Sequence, residues 1–204
     1  MCATSLCWAV LGAVAWSQDD AARTVHVFVA LADNQHQGIV PVPARLGNGD
    51  DPDHNLYWGS AYGVKTFFAR SADWLLMNCS AKPKPEVLER CVFKHRKTNT
   101  YMVADAYRGS EIREAILDFF DAAAGASPET IIALPSAERV SIRGGSNVVA
   151  YVGHDGLMDF RLPLSPKRKT RFIATRSSWH APASNILLKC FARAEPILSC
   201  GQLT

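Results

Sequence analysis

The sequence lacks the short motifs by which several large functional classes are recognised. It contains no G-x-S-x-G, no H-E-x-x-H and no phosphate-binding glycine loop, so nothing indicates a serine hydrolase, a zinc peptidase or a nucleotide-binding protein. No two of its six cysteines form the C-x-x-C pair that is typical of structural zinc sites. The formal charge of +3 is small and no nucleic-acid-binding motif accompanies it. We therefore expect no cofactor and no nucleic-acid partner.

A calcium-loop pattern is present only in part. Residues 51–55 read D-x-D-x-N, which matches the first ligand positions of an EF-hand loop. Leu56 stands where that loop needs glycine, and Tyr62 stands where it needs its bidentate glutamate. We therefore predict no metal site.

No apolar run reaches the roughly 20 residues of a transmembrane helix. The run LCWAVLGAVAW at residues 6–16 instead fits the hydrophobic part of a signal peptide, and A-V-A at residues 13–15 fits its cleavage site. We expect a signal peptide at residues 1–20 and an exported protein, periplasmic or extracellular, without an integral membrane anchor after leader removal. The alternatives are a buried first helix or a wrongly chosen start of the sequence, since no Lys or Arg precedes the run.

The length and composition favour one globular domain. Hydrophobic residues make up 48% of the 204 residues and charged residues 20%, which is ordinary for a folded protein with a sizeable core. We predict a single domain over residues 21–204.

Two cysteines flank a short turn-like segment. Cys79 and Cys91 lie on either side of K-P-K-P at residues 82–85. A disulfide across that turn is expected in an oxidising compartment, and two unpaired buried thiols are the alternative.

Runs of β-branched residues alternate with stretches of helical periodicity. This alternation predicts an α/β fold with a mainly parallel sheet flanked by helices and right-handed crossovers. An antiparallel hairpin insertion is predicted where two strands are joined by residues 97–99. The predicted strands are Thr24–Ala32, Trp74–Cys79, Val87–Lys94, Thr100–Ala106, Asn147–Val152, Arg171–Ala174 and Pro196–Ser199. The predicted helices are Tyr57–Arg70, one that starts after an N-cap at Ser110 and ends at Gly125, and one within Ser178–Ala194.

The strongest candidate for catalysis is His154. It follows the predicted strand Asn147–Val152 directly and lies between Gly153 and Gly156. In open α/β sheets, ligand sites gather at the carboxyl ends of strands. A neutral imidazole near pH 7 accepts a proton from a thiol or a hydroxyl. The position therefore predicts a general base, and an ordinary surface histidine in a turn is the alternative.

Two residues compete for the role of nucleophile. Cys200 follows the last predicted strand, and a histidine beside it would populate the reactive thiolate. Thr175 follows the strand Arg171–Ala174, which lies close enough to His154 in sequence to be its neighbouring strand. A threonine hydroxyl without special activation is a much poorer nucleophile than a thiolate.

The long connection Asp33–Asn55 is a predicted substrate wall. Asp33, Asn34 and His36 follow the first strand, so they lie at the same sheet edge as His154. We predict that they bind substrate together with Gly153, although turn formation alone also explains residues of these types.

The order of elements along the chain resembles that of the caspase, gingipain and legumain group of cysteine peptidases. In that order a strand is followed by Gly-His-x-Gly and then by a later strand that ends in a nucleophile. The stretches Gly38–Phe68 and Tyr151–Phe160 also resemble uncharacterised exported bacterial proteins with this layout. In that group a strand ends in Ala-Cys-x-Ser, whereas this chain has Ala-Thr-Arg-Ser at residues 174–177. Asp155 also stands where the peptidases usually have glycine.

The resemblance implies a caspase-like fold and a domain that continues past residue 204, so that a truncated or frame-shifted chain is expected. Three functional hypotheses follow. The first is a cysteine peptidase-type hydrolase with a Cys200–His154 dyad that acts on a peptide or protein. The second is an inactive binding or scaffold protein of the same fold, with Thr175 at the nucleophile position. The third is a secreted α/β domain that is not a peptidase.

Overall fold

The computed structural model describes residues 22–158, 160, 172–176 and 190–194. Its main sheet has seven strands in the order β2-β3-β4-β1-β7-β9-β8, and a separate hairpin is formed by β5 and β6. The strands are β1 (Arg23–Ala30), β2 (Trp74–Lys84), β3 (Val87–His95), β4 (Thr100–Tyr107), β5 (Glu129–Ala133), β6 (Glu138–Ile142), β7 (Val148–Val152), β8 (Phe172–Arg176) and β9 (Cys190–Ala194). The helices of the described residues are α1 (Val64–Ala69) and α2 (Ile112–Ala123), with three short 3₁₀ turns.

The centre of the sheet is parallel and its two sides are antiparallel. Strand β1 pairs in parallel with β4 and with β7, as its continuous β-branched sequence predicts for a strand covered on both faces. The pairs β2–β3, β3–β4, β7–β9 and β8–β9 are antiparallel. The fold is therefore α/β, as predicted, but the sheet is mixed and a mainly parallel sheet is not confirmed.

Helix α2 covers one face of the parallel centre. Its apolar stripe packs with Phe28 of β1 and Tyr151 of β7 into one buried cluster, as the spacing of its apolar residues predicts. Gly125 adopts a φ of 75° just beyond the helix, which is the left-handed conformation that ends many helices. The predicted N-cap at Ser110 is wrong, because Ser110 lies inside a 3₁₀ turn that leads into the helix.

Helix α1 covers part of the other face and is shorter than predicted. It begins at Val64 rather than at Tyr57, since the preceding residues form turns around the fully buried Trp58. A β-carbon at residue 59 would overlap the Asp53 carbonyl group, and one at residue 63 would overlap the Trp58 carbonyl group. Any side chain there would collide with main-chain atoms, so local helical periodicity was outweighed by the packing of this loop.

The antiparallel half of the sheet contains a disulfide. Cys79 of β2 lies directly opposite Cys91 of β3, and the two sulfurs are bonded. The bridged alternative of the sequence analysis is therefore confirmed. The predicted hairpin is confirmed too, as β3 and β4, although β4 belongs to the main sheet as the parallel neighbour of β1.

Removing this disulfide is expected to lower the free energy of unfolding by about 2–3 kcal/mol. The residues are separated by 12 positions, so the cross-link restricts a short loop of the unfolded chain. The double variant Cys79→Ala/Cys91→Ala should show the loss in urea unfolding under non-reducing conditions. In the presence of a reductant the wild type should approach the stability of the variant, and an unchanged difference would contradict this account.

A buried network of charges crosses the sheet beside the β5–β6 hairpin. Asp105 of β4 is fully buried and accepts hydrogen bonds from Arg90 Nε (2.6 Å) and Nη2 (2.8 Å), and from His26 Nε2 (3.1 Å). The backbone N–H of Arg143 donates to His26 Nδ1 (3.0 Å). Because a backbone N–H can only donate, Nδ1 is the acceptor in this contact and Nε2 is the ring nitrogen that faces Asp105.

The carboxyl-terminal strands differ from the prediction. Strand β8 confirms the strand predicted at Arg171–Ala174, but residues 190–194 form β9 where a helix was predicted. The strand predicted at Pro196–Ser199 and the signal peptide predicted at residues 1–20 lie outside the described residues. Within the described part of the chain, no helix is long and apolar enough to cross a membrane.

Candidate functional site

The carboxyl edge of the parallel strands brings the predicted site residues to one side of the sheet. Val29 of β1 pairs with Val152 of β7. His154 follows Val152 by two residues, and Asp33 follows Val29 by four. Both residues therefore leave the sheet at the same edge, as their positions after two neighbouring parallel strands predict.

The backbone of His154 is fixed at this edge. Its carbonyl oxygen accepts hydrogen bonds from the Tyr151 hydroxyl (2.8 Å) and from the Gly156 N–H (3.0 Å). Burial, with smaller contributions from Tyr57 and Asp155, raises the pKa of Tyr151 well above its usual range. Tyr151 therefore remains a protonated donor over the working pH range, and it holds the turn that carries the half-buried His154.

Gly153 is required by a close approach in this turn. A β-carbon at residue 153 would lie 2.7 Å from the Tyr151 hydroxyl oxygen and 3.0 Å from Ala30 Cβ. A side chain there would displace the hydroxyl that holds His154. Its contribution is therefore to the position of the histidine, and a contact with substrate, which the sequence suggested, stays a prediction.

Asp33 builds the loop that follows β1. It is 6% exposed, and its carboxylate accepts hydrogen bonds from the N–H groups of Gln35 (2.8 Å) and His36 (3.1 Å). Its other oxygen bonds His36 Nδ1 at 2.8 Å. Asn34 has a similar task, because its side-chain amide bonds both the N–H and the carbonyl of Val42. These contacts favour turn formation as the main task of Asp33 and Asn34.

A polar cavity of about 400 Å³ lies beside this loop. The three residues predicted to bind substrate, Asp33, Asn34 and His36, all line it, whereas Gly153 does not. The His36 side chain is 55% exposed, and its Nε2 has no hydrogen-bond partner among the described residues. His36 is therefore the one of the three that presents an unused polar atom at the cavity.

Two buried amides that the sequence analysis missed order the long loop. Gln37 accepts from the Asp33 N–H (3.1 Å) and donates to the carbonyls of Leu31 (2.7 Å) and Gly109 (2.9 Å). Asn55 is fully buried and exchanges two hydrogen bonds with Ala32 (2.9 and 2.8 Å). In the sequence both are polar residues among other turn formers, and nothing distinguishes a buried amide from an exposed one.

An apolar cavity of about 380 Å³ lies against β1 and β7, on the face of the sheet that α1 covers. It lies between the sheet and the α1 region, and it reaches Val152, two residues before His154. Three tyrosines line the cavity, and all its other lining residues are apolar. Its residues are Val25, Val27, Leu56, Tyr57, Tyr62, Val64, Phe67, Phe68, Met102, Ala150, Tyr151 and Val152.

The two candidate nucleophiles have different outcomes. Cys200 lies outside the described residues. Thr175 lies in β8, but β8 is not the neighbour of β7 as expected, because β9 runs between them: Ala192 pairs both with Val149 of β7 and with Ala174 of β8. Thr175 is therefore level with Ala150, and His154 lies four residues farther along the strand direction. The register weakens the case for Thr175 as the partner of His154.

No protein family model, no curated protein and no solved structure matches this chain. The candidate site therefore consists of a histidine whose backbone is fixed at the carboxyl edge of the parallel strands, a polar cavity at the loop after β1, and an apolar cavity that contacts β7.

Proposed function

We propose that this chain is an exported cysteine peptidase-type hydrolase of caspase-like architecture, with His154 as the general base and Cys200 as the nucleophile. The observation that carries the proposal is the position of His154. It directly follows β7, a parallel neighbour of the central strand β1, in a turn that Tyr151 holds and Gly153 permits. Catalytic groups of open α/β sheets gather at this edge.

The proposed reaction is acyl transfer through the cysteine. His154 takes the proton of the Cys200 thiol, and the thiolate attacks the peptide carbonyl carbon. Backbone N–H groups near Gly153 stabilise the oxyanion. The imidazolium then gives its proton to the leaving amine, and a water molecule, deprotonated by His154, hydrolyses the thioester to a carboxylic acid and the free thiol.

The substrate proposed for this site is a peptide or a protein. The cavity beside Asp33, Asn34 and His36 offers polar groups to an extended chain, and the apolar cavity beneath Val152 offers room for one large side chain. The polar cavity lies at the loop after β1 and the apolar cavity contacts β7, the parallel neighbour of β1 that leads to His154, which supports their use by one substrate.

The dyad predicts a specific loss of thiol reactivity in a histidine variant. A cysteine-directed electrophile should label Cys200 in the wild type, and His154→Ala should slow labelling at neutral pH by at least about tenfold, because a neighbouring imidazole populates the thiolate. Peptide hydrolysis should fall by about 10²–10⁴-fold, the usual contribution of a general base. Mass spectrometry of the labelled peptide identifies the site.

His95→Ala is the matched control for this experiment. His95 is the last residue of β3, and its ring bonds the Thr98 hydroxyl. Because β3 runs antiparallel to β4, which is parallel to β1, His95 lies at the opposite edge of the sheet from His154, so its loss should change neither labelling nor hydrolysis. Equal labelling of Cys200 in the wild type and in His154→Ala would refute the dyad.

A second candidate function is an inactive binding protein of the same architecture. The observation that favours it is the register of Thr175 on β8, which is level with Ala150 rather than with His154, because threonine without an activating base is a poor nucleophile. This hypothesis expects a folded protein that binds a peptide library at the carboxyl edge but neither hydrolyses it nor reacts at Cys200. Hydrolysis that is lost in Cys200→Ser would exclude it.

A further inference from the structure

The disulfide lies against a carboxylate on the outer part of the sheet. Glu89 precedes Cys91 by two residues on β3, so that the two side chains share one face of the strand. Cys79 lies opposite Cys91 on β2. One ligand atom of each residue, the two sulfurs and a Glu89 oxygen, lies within 4.8 Å of the others. Thiolate sulfur and carboxylate oxygen are both ligands that Zn²⁺ accepts.

We propose that Cys79, Cys91 and Glu89 form a Zn²⁺ site in the reduced protein, so that the disulfide and the metal site are two alternative states of the same residues. The site lies on β2 and β3, which β4 separates from β1 and β7, and none of its residues takes part in the proposed hydrolysis. The inference is therefore independent of the proposed function.

The change of state is a balanced two-electron exchange. A dithiol reductant transfers two electrons and two protons to the S–S bond, which breaks to give two thiols, and the reductant closes to its own disulfide. Zn²⁺ then binds both sulfurs as thiolates and releases the two thiol protons to solvent. Cys79 is exposed whereas Cys91 is fully buried, so a reductant can reach the bond from the Cys79 side.

Water can complete the coordination of the zinc ion from the exposed side of the site. Three protein ligands leave one position of a tetrahedral zinc ion open. Because Cys79 faces solvent, water can occupy that position. The donor set of two thiolates, one carboxylate and one water is the chemistry that selects Zn²⁺ over Ca²⁺ or Mg²⁺, which prefer oxygen ligands alone.

Glu89 is already oriented by neighbouring side chains. The indole N–H of Trp58 donates to Glu89 Oε2 at 2.6 Å, and the carboxylate is 16% exposed. A hydrogen bond of this kind fixes the direction of a metal ligand before the ion arrives. Trp58 itself is fully buried, so this orientation is maintained by the core.

Lys65 competes with a metal ion for the same carboxylate. Its ammonium group lies 2.9 Å from both Glu89 oxygens. Asp53 offers it an alternative partner at 3.4 Å, so the lysine can shift toward Asp53 when a cation takes its place. Removing the lysine charge should therefore strengthen metal binding.

The test is a Co²⁺ titration of the full chain, reduced with a dithiol that is then removed under inert gas. Reduced wild type is expected to bind one Co²⁺ with a near-ultraviolet sulfur-to-cobalt band, which Zn²⁺ abolishes. The oxidised protein and Cys79→Ala/Cys91→Ala should lack this band. The comparison of reduced wild type with the double variant isolates the site, since both proteins retain the other four cysteines, Cys2, Cys7, Cys190 and Cys200.

Two single variants test separately how Glu89 and its partner Lys65 affect metal binding. Glu89→Gln should weaken Co²⁺ binding by at least about tenfold, and Lys65→Met should strengthen it. Glu129→Gln is the matched control, because Glu129 also pairs with a lysine, Lys84, but lies outside the cluster. Circular dichroism verifies that each protein is folded. A folded, reduced wild type without the cobalt band, or equal affinity in Glu89→Gln and Glu129→Gln, overturns the proposal.

Discussion

Asp105→Asn is expected to lower the free energy of unfolding by about 3–5 kcal/mol at neutral pH, the usual loss when one partner of a buried ion pair is removed. Asp105 is fully buried and receives two hydrogen bonds from Arg90 and one from His26. Asparagine has nearly the same size, but it leaves the guanidinium without its main counter-charge. The remaining carboxylate near Arg90 is Glu129 at 3.5 Å, which is partly exposed.

The same contacts make the stability of the wild type depend on pH. Burial alone would raise the pKa of Asp105, but hydrogen bonds from Arg90 and His26 outweigh it and hold the pKa well below its usual range. The stabilisation is therefore complete above the usual carboxyl pKa, and it is lost as the pH falls through the depressed folded-state value. Asp105→Asn should show a shallower loss of stability in acid.

Asp73→Asn is the matched control for this prediction. Asp73 is 61% exposed, and its carboxylate lies 4.0 Å from Lys97 Nζ, so its replacement should change the free energy of unfolding by no more than about 0.5 kcal/mol. Urea unfolding of the three proteins between neutral pH and about pH 2 measures both effects, since the loss begins near the carboxyl pKa of the unfolded chain, about 3.9, and grows below it. A loss below about 1 kcal/mol for Asp105→Asn would mean that the buried pair contributes little beyond its desolvation cost.

Asn55→Ala is expected to destabilise the protein by about 3–5 kcal/mol, because each buried polar group left without a partner costs about 1–3 kcal/mol. The Asn55 amide accepts from the N–H groups of Ala32 and Tyr57, and donates to the carbonyls of Ala32 and Asn48. Ala32 is fully buried, so water does not replace these bonds. Urea unfolding measures the loss, and limited proteolysis should cut between residues 33 and 63.

Two further variants make this prediction specific to the hydrogen bonds. Asn55→Asp keeps the size but directs a carboxylate oxygen at two carbonyl oxygens, so it should be destabilised as well. Gln35→Ala removes an exposed amide of the same loop and should leave stability and proteolysis unchanged. If Asn55→Asp were as stable as the wild type, the donated hydrogen bonds would be unimportant.

Local sequence patterns predicted the elements that bury one continuous apolar surface. The β-branched run of β1, the strands β3, β4 and β7, and the stripe of α2 were all expected near their observed positions, because burial of these periodic residues requires those elements. The pattern failed where local and tertiary preferences differ. Residues 57–63 have helical spacing but form turns around Trp58, and residues 190–194 form a strand between β7 and β8 rather than a helix.

The sequence predicted the sheet edge at which the candidate site lies, but it did not predict which strands meet there. The sheet edge that carries His154, Asp33, Asn34 and His36 follows from their places after two strands, once those strands are parallel neighbours. Chain order does not determine which strands are neighbours. For that reason, the insertion of β9 between β7 and β8, and with it the separation of Thr175 from His154, was not predicted.

The sequence by itself determined the class of fold, the glycine-flanked histidine turn after β7, and Cys79 and Cys91 as a candidate disulfide pair. The tertiary structure decided the mixed direction of the sheet, the disulfide, the buried Asp105 network, and the use of Gln37 and Asn55 to hold a long loop. The physical reason is the range of the interactions. Periodicity and turn chemistry act between neighbours in sequence, whereas hydrogen bonds of a buried amide or carboxylate join residues 23 positions apart, as in Asn55 and Ala32, or 79 positions apart, as in His26 and Asp105.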